Sequence, residues 1–278
     1  MKSNDTDFFP LKGMRAMVTG GAQGIGSGLC FELASAGASV AIVDLQLKKA
    51  NIVANKIVEN GGIAFPILAD LASDVGCHRA VTTAIDVLRG LDILVNCAAP
   101  SRNKMMLGKL TDADWATHQQ IVLGATVLLA DAASEYLAAS GQGVIVNISS
   151  VTSNSIAIDH CSWPYHVSKA GLDHLTRFLA VRLGKNGIRV NAIAPGLVDR
   201  DEGPKLSDSF SNRSIINELV PLGRAGTAHD ISQVLIFLCS KQSAYITGQV
   251  ITVDGGLGLN EVFSASLRAY KSGADSSL

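Results

Sequence analysis

The sequence predicts an α/β fold with a doubly wound parallel sheet of seven strands and helices on both faces. Short runs rich in Val and Ile alternate along the chain with helical patterns. Each run is apolar along its length and does not alternate between apolar and polar residues. Strands that are covered on both faces show this pattern, because neither side meets water. The predicted strands are Ala16–Thr19, Ser39–Val43, Ala64–Leu68, Leu91–Val95, Val144–Ile148, Arg189–Ile193 and Val250–Val253.

Apolar residues at helical spacing fill the segments between these strands. Ile25, Leu29 and Leu33 follow one another at intervals of four, and Gly37 comes where such a helix would end. The same spacing recurs after Tyr165. Strands that alternate with helices in this way predict parallel pairing.

No internal repeat or linker divides the chain, so we expect a single domain over residues 1–278. Residues 1–12 and 257–278 are expected to be terminal extensions. The charged segment 199–212 is rich in Ser, Gly and Pro and is expected to be irregular. We interpret residues 199–220 as a substrate lid, with a solvated surface loop as the alternative.

Composition limits the possible classes of protein. Hydrophobic residues make up 47% of the chain and charged residues 17%, and the net charge is -1. This balance predicts a sizeable core and argues against a nucleic-acid surface. The five cysteines lack the spacing of metal ligands. The first ten residues lack the apolar core of a signal peptide. The longest apolar run, 121–130, is too short to span a bilayer. We expect a cytoplasmic protein without a membrane partner.

A glycine-rich turn, TGGAQGIG over residues 19–26, follows the first predicted strand. Free N–H groups at a helix start form an anion site, and glycine lets a pyrophosphate approach the backbone. A tight turn without a ligand would contain the same glycines. The nucleotide interpretation makes contacts of Gly20, Gln23, Gly24, Ile25 and Gly26.

Asp44 ends the second predicted strand, where an acid can bond the hydroxyls of an adenosine ribose and repel a 2′-phosphate. Leu45 would be a neighbouring contact, and no cation occurs between Asp44 and Lys48. On this electrostatic ground we predict NAD rather than NADP as the cofactor. A solvated Asp at the start of a loop is the alternative.

The third and fourth predicted strands end in further candidate contacts, Asp70 with Leu71 and Asn96 with Ala98. The carboxyl ends of parallel strands meet at the edge where open α/β sheets bind ligands. Asp70 could accept a hydrogen bond from an adenine amino group, and the small residues at 97–99 leave room for a cofactor. Each residue could equally cap a helix or a turn.

Tyr165 and Lys169 are four residues apart in a predicted helix, which places them on one face. An ammonium beside a phenol lowers the pKa of the phenol towards the range that a general acid or base needs. Ser150 ends the fifth strand, so its hydroxyl could converge with that of Tyr165. A surface helix turn and a turn-forming serine are the alternatives.

Two other chemistries lack support in the sequence. No Gly-x-Ser-x-Gly elbow surrounds Ser150, which argues against serine-hydrolase chemistry. The six histidines show no ligand spacing, so we expect no metal.

Together these motifs resemble the short-chain dehydrogenase/reductase family in its compact single-domain branch. The match extends from Gly13 to about Gly256 and includes the segments 191–196 and 247–256. The resemblance implies a Rossmann-type fold and a homotetramer or dimer, with residues 172–183 and 255–256 at the interfaces.

The resemblance also implies residue roles. Tyr165 would exchange a proton with the substrate oxygen, and Lys169 would lower the pKa of Tyr165 and hold the nicotinamide ribose. Ser150 would hydrogen-bond the substrate oxygen and stabilise charge there. The nicotinamide would be lined by Pro195, Gly196 and Val198.

The chain departs from the family pattern at two positions. Val122 stands where the family has an asparagine that anchors a proton-relay water, and Gln119 on the same side of that helix is a candidate substitute. Arg200 stands where a threonine usually binds the carboxamide of the cofactor.

We therefore hypothesise an NAD-dependent oxidoreductase that interconverts a secondary alcohol and its ketone. Met105, Leu107, His160 and Trp163 would give a mixed surface that suits sugars, cyclitols, small aromatic alcohols or steroids equally. One alternative is an NAD-binding sensor or structural protein without turnover. Another is a 3-oxoacyl-carrier reductase, which normally uses NADPH and which Asp44 disfavours.

Overall fold

A computed structural model of the protein describes residues 9–100, 111–158, 161–199 and 205–260. Within these residues seven parallel strands form one sheet in the order β3-β2-β1-β4-β5-β6-β7. This arrangement confirms the predicted doubly wound sheet. The strands are β1 (Arg15–Thr19), β2 (Ser39–Asp44), β3 (Ile63–Leu68), β4 (Ile93–Asn96), β5 (Val144–Ile148), β6 (Arg189–Pro195) and β7 (Val250–Val253).

Helices connect successive strands. A π-helical segment, Gln120–Gly124, joins α4 to α5 without a break. Short 3-10 turns occur at Val151–Ser153, Leu206–Asp208, Lys241–Ser243 and Leu257–Leu259. The α-helices of the described residues are α1 (Gly24–Ser35), α2 (Leu47–Glu59), α3 (Asp74–Leu88), α4 (Asp112–Gln119), α5 (Ala125–Ala139), α6 (Trp163–Gly184), α7 (Phe210–Leu219) and α8 (Ala228–Cys239).

The continuous strands are buried on both faces, as the sequence predicts. In β1, Val18 packs into a cluster with residues of α1, α2 and α8, whereas its neighbour Met17 packs into a second cluster with α3, α5 and α6. Successive side chains of a strand point to opposite faces, so an apolar run supplies both cores.

The strand order reverses beside β1, which pairs with β2 on one side and β4 on the other. At such a switch point the loops after neighbouring strands diverge and leave a crevice at the carboxyl edge. Thr19 of β1 lies opposite Asn96 of β4, and Asn96 lies opposite Asn147 of β5. The candidate residues at these strand ends therefore share one edge of the sheet.

Several predicted boundaries shift. β4 begins at Ile93, two residues later than predicted, and Asp92 before it is 2% exposed and accepts the Arg15 guanidinium at 2.7 Å. Leu11 is fully buried, so the expected N-terminal extension packs onto the core at its end. The expected irregular segment contains the start of α7, which has a Ser209 N-cap that the composition did not reveal.

The continuous helix from Asp112 to Ala139 is long and apolar enough to cross a membrane by length and composition. Its inner residues Leu129, Ala133 and Leu137 belong to the core cluster beneath the sheet. Part of its apolar surface is therefore buried against the sheet.

Candidate active site

The glycine turn between β1 and α1 has the close contacts that a nucleotide turn needs. A Cβ on Gly20 would lie 2.8 Å from the Cα of Ala98, and a Cβ on Gly26 would lie 2.1 Å from the carbonyl oxygen of Gly20. Gly24 has a φ of +58° and open space where its Cβ would stand. The N-cap residue Gln23 makes no side-chain cap, so α1 begins with N–H groups free for an anion.

Asp44 and its surroundings form the neighbouring part of the edge. Its carboxylate accepts the N–H of Ala22 at 3.1 Å and the N–H of Gln46 at 2.8 Å. Lys49 donates to the Gln23 side chain at 2.8 Å. No cation occurs in the chain between Asp44 and Lys48, but the first turn of α2 brings Lys49 to the glycine turn.

Beyond Asp44 lies a cavity of about 300 Å³. Leu45, Asp70 and Arg79 contribute to its lining. Asp70 accepts the N–H of Ala72, so one carboxylate oxygen caps the following turn, and Leu71 is buried. Asp70, the expected partner of the adenine amino group, thus borders a cavity. It also caps a turn, which was the alternative interpretation of this residue.

The ends of β1 and β4 are joined by Thr19. Its hydroxyl accepts the N–H of Cys97 at 3.1 Å and of Ala98 at 3.2 Å. Asn96 donates to the Asn147 side chain at 2.9 Å, and its own amide oxygen is buried without a partner among the described residues. Asn96 therefore braces the sheet, and its contact with a cofactor stays a prediction.

Ser150 and Tyr165 converge, as the sequence predicts. Burial raises the pKa of Tyr165 to about 12, and a side-chain hydrogen bond between Tyr165 and Ser150 acts in the opposite direction. Thr152 holds Ser150 by donating its hydroxyl at 2.9 Å. The carboxyl end of β5 and the first turn of α6 thus bring two hydroxyls together at the sheet edge.

Lys169 is 3% exposed, and its ammonium donates to the carbonyl of Ile148 at 2.6 Å. Its Nζ lies 5.7 Å from the centre of the Tyr165 ring. Burial lowers the pKa of Lys169 to about 8, against raising contributions from Cys97 and Asp173. The sequence argument left out burial, which is the largest influence on the pKa of both groups, and the lowering effect of Lys169 on Tyr165 stays a prediction.

The start of α6 forms the approach to these hydroxyls. Trp163 is 56% exposed and stacks on Trp115 of α4 with ring centres 5.1 Å apart. His166 binds the carbonyl of Ser162 through Nδ1 at 2.9 Å, and its Nε2 accepts the N–H of Ala157 at 3.0 Å. His166 adjoins Tyr165 in the chain, but no motif in the sequence indicates these bonds.

Val122 lies in the π-helical segment and is 2% exposed. Its carbonyl accepts the Thr126 hydroxyl at 2.8 Å. Gln119 precedes the segment, and its Nε2 is buried without a partner among the described residues. Short π-helical segments within α-helices are frequent at functional sites. The role of Gln119 as a substitute for the family asparagine stays a prediction.

The end of β6 supplies the remaining expected contacts. A Cβ on Gly196 would lie 2.6 Å from the Cβ of Asp254, so this backbone passes close to the end of β7. Pro195 ends the strand, and Val198 pairs with Gly226 in an isolated bridge. The predicted contacts or pocket residues Arg200, Met105, Leu107 and His160 lie outside the described residues.

In the described part of the chain no group of three or more His, Cys, Asp or Glu side chains could hold a metal. The five cysteines are free. The polar groups that the described site brings together are the hydroxyls of Ser150 and Tyr165 and the ammonium of Lys169.

Comparison with known proteins identifies the family. A family model described as enoyl-(acyl carrier protein) reductase matches residues 20–258. A 3-oxoacyl-[acyl-carrier-protein] reductase of Aquifex aeolicus is 34% identical over 89% of this chain and 98% of its own. The 7alpha-hydroxysteroid dehydrogenase of Escherichia coli K12 is 32% identical over 93% of this chain and 99% of its own.

Solved structures agree. A putative short-chain alcohol dehydrogenase from Sinorhizobium meliloti superposes with a TM-score of 0.83 at 34% identity, covering 91% of this chain and 100% of that one. A 7 alpha-hydroxysteroid dehydrogenase complexed with NADH and 7-oxo glycochenodeoxycholic acid gives a TM-score of 0.81 at 31% identity, covering 91% and 98%. This chain belongs to the short-chain dehydrogenase/reductase family of oxidoreductases, whose members bind a nicotinamide cofactor.

Proposed function

We propose that this protein interconverts a secondary alcohol and its ketone with NAD as the hydride carrier. The observation that carries the proposal is the pairing of the Ser150 and Tyr165 hydroxyls beside the buried ammonium of Lys169. Bound NAD would supply the hydride acceptor, and NADH the donor. The glycine turn, with open space at Gly24 and uncapped N–H groups, suits the pyrophosphate.

The roles of the residues follow from their protonation. Tyr165, with its pKa raised to about 12, holds its proton at neutral pH and can give it to a ketone oxygen during reduction. Ser150 donates to the same oxygen as negative charge develops there. The positive charge of Lys169 favours the tyrosinate that remains, and its other N–H groups suit the hydroxyls of the nicotinamide ribose.

The first test is a panel of secondary alcohols and ketones, followed by the change in NADH absorbance. Tyr165→Phe should lower turnover by a factor of about 10² to 10⁴, because it removes the acid/base group and leaves the shape of the site intact. Tyr245→Phe is the matched control, since Tyr245 is fully exposed. Full turnover by Tyr165→Phe would remove Tyr165 from the mechanism.

The preference for NAD rests on Asp44, whose carboxylate two backbone N–H groups hold in place. Lys49 at the turn opposes this preference. Asp44→Asn should therefore tighten NADPH binding about tenfold relative to NADH, as removal of roughly 1.4 kcal/mol of repulsion would do. The control is Asp86→Asn on the exposed side of α3, and an unchanged ratio would reject the ribose role of Asp44.

The substrate is proposed to be a ketone or alcohol with an apolar body. Exposed apolar side chains flank the approach to Tyr165, with Ile156 at 80%, Ile158 at 72% and Trp163 at 56% exposure. The hydroxysteroid dehydrogenases among the relatives favour a steroid in the panel. The acyl-carrier reductases among them make a 3-oxoacyl thioester the second candidate.

A cofactor-binding protein without turnover is the remaining alternative. It would show a higher melting temperature with NAD and no absorbance change with any compound of the panel.

We also propose a cytoplasmic homotetramer or dimer. The free cysteines support the cytoplasmic location, and the exposed apolar residues Phe178 and Val181 of α6 support the assembly.

A further inference from the structure

The serine before Ser150 ties the end of β5 to the helix that carries the candidate acid/base. Ser149 is 3% exposed, and its hydroxyl donates a hydrogen bond to the carboxylate of Asp173. Its N–H donates to the carbonyl of Ile193 at 2.7 Å. The residue next to Ser150 is thus held from both β6 and α6.

Asp173 also continues the face of α6 that bears the reactive groups. Tyr165, Lys169 and Asp173 stand at successive intervals of four residues, so their side chains form one row. The hydroxyl of Ser149 contacts the carbonyl of Lys169 at 3.5 Å as well as the Asp173 carboxylate. The two consecutive serines that follow β5 therefore pair with two members of this row.

Few charged groups face the ammonium of Lys169. Tyr165 and Asp173 do so from its own helix, Cys97 does so from the end of β4, and β5 contributes the Ile148 carbonyl. Burial raises the pKa of the Cys97 thiol to about 11, so this thiol carries no charge at neutral pH. That leaves the Asp173 carboxylate as the negative charge acting on Lys169 among the described groups.

We propose that Asp173 is a positioning residue that keeps Lys169 protonated through its charge and fixes the segment with Ser150 through its bond to Ser149. The inference rests on the proposed function for its catalytic consequence. Its electrostatic part concerns the free protein and needs neither substrate nor cofactor. The signal in the sequence was the acid one turn after Lys169.

A double-mutant cycle on the melting temperature tests the charge. Near pH 7, Asp173→Asn should lower the melting temperature of the protein by several degrees. In a Lys169→Met background the same substitution should lower the melting temperature clearly less. The difference between backgrounds should fade near pH 10, where Lys169 is neutral in the folded protein. Equal losses in both backgrounds near pH 7 would overturn the proposal.

Two control variants separate charge from folding. Ser149→Ala keeps the carboxylate and removes its hydrogen bond, so its loss should be the same with and without Lys169. Asp131→Asn removes an exposed carboxylate that pairs with Arg182, and its effect should also be independent of Lys169. A dependence of Asp131→Asn on Lys169 as large as that of Asp173→Asn would remove the specificity claimed for Asp173.

NADH binding gives the functional measurement. Asp173→Asn should weaken NADH about three- to tenfold near pH 9 and little near pH 6, because a lost counter-charge lowers the pKa of Lys169. An equal change at both pH values would overturn the positioning role. If the unmodified protein does not bind NADH, the proposed function fails, while the melting cycle still decides whether Asp173 acts on Lys169.

Discussion

Lys169 carries a charge into a nearly closed environment, and burial lowers its pKa from 10.5 to about 8. A base with a lower pKa in the folded state makes the protein less stable wherever both states are protonated. This deficit is full below pH 8 and disappears as the pH rises towards 10.5, because the unfolded chain then binds the extra proton. Lys169, to which we assign a role in the proposed reaction, therefore lowers the stability of the fold below pH 8.

Lys169→Met removes a buried charge together with the hydrogen bond to the Ile148 carbonyl. Relative to the unmodified protein, the free energy of unfolding of this variant should therefore be about 1 to 3 kcal/mol higher at pH 7 than at pH 10.5, because only the buried charge contributes a dependence on pH. Chemical denaturation from pH 7 to pH 10.5 should show this relative stability falling with pH, while turnover is lost throughout. Lys185→Met at the exposed C-cap of α6 is the control and should change little. A relative stability that does not depend on pH would contradict the lowered pKa.

The segment between β5 and α6 depends on one neutral histidine. His166 uses both ring nitrogens, with Nδ1 on the Ser162 carbonyl and Nε2 on the Ala157 N–H. Both bonds form only in the tautomer that has its proton on Nδ1. The bond from Ala157, which stands between Ile156 and Ile158 in the chain, ties this segment to the residue next to Tyr165.

His166→Ala should destabilise the protein by about 1 to 3 kcal/mol, because it removes both ring hydrogen bonds and takes the acceptor away from the Ala157 N–H. It should also raise KM for the apolar substrate more than it raises the Kd of NADH. Faster amide exchange at Ala157 would report the loosened segment directly. His174→Ala, an exposed histidine of the same helix, is the control, and an unchanged exchange rate at Ala157 would reject the role of His166.

At the scale of the whole molecule, the spacing of apolar residues along the chain predicted most of the fold. Continuous apolar runs identified the strands, and the rule that ligands bind at their carboxyl ends brought Gly20, Asp44, Ser150 and Tyr165 to one edge. Contacts that depend on how helices pack, such as Ser149 with Asp173, were not predicted. The raised pKa of Tyr165 was missed for the same reason, since burial is a property of the assembled fold.

The outer face of α6 leads to the last prediction. Phe178 is 58% exposed and Val181 is 82% exposed, beside the surface ion pair between Arg182 and Asp131. If this face joins two copies of the chain, Val181→Asp should shift the protein towards smaller assemblies in light scattering, because it buries an unpaired charge. Val75→Asp on α3, with 80% exposure, is the matched control and should leave the mass unchanged. The same mass for Val181→Asp and the unmodified protein would place the interface elsewhere or show a monomer.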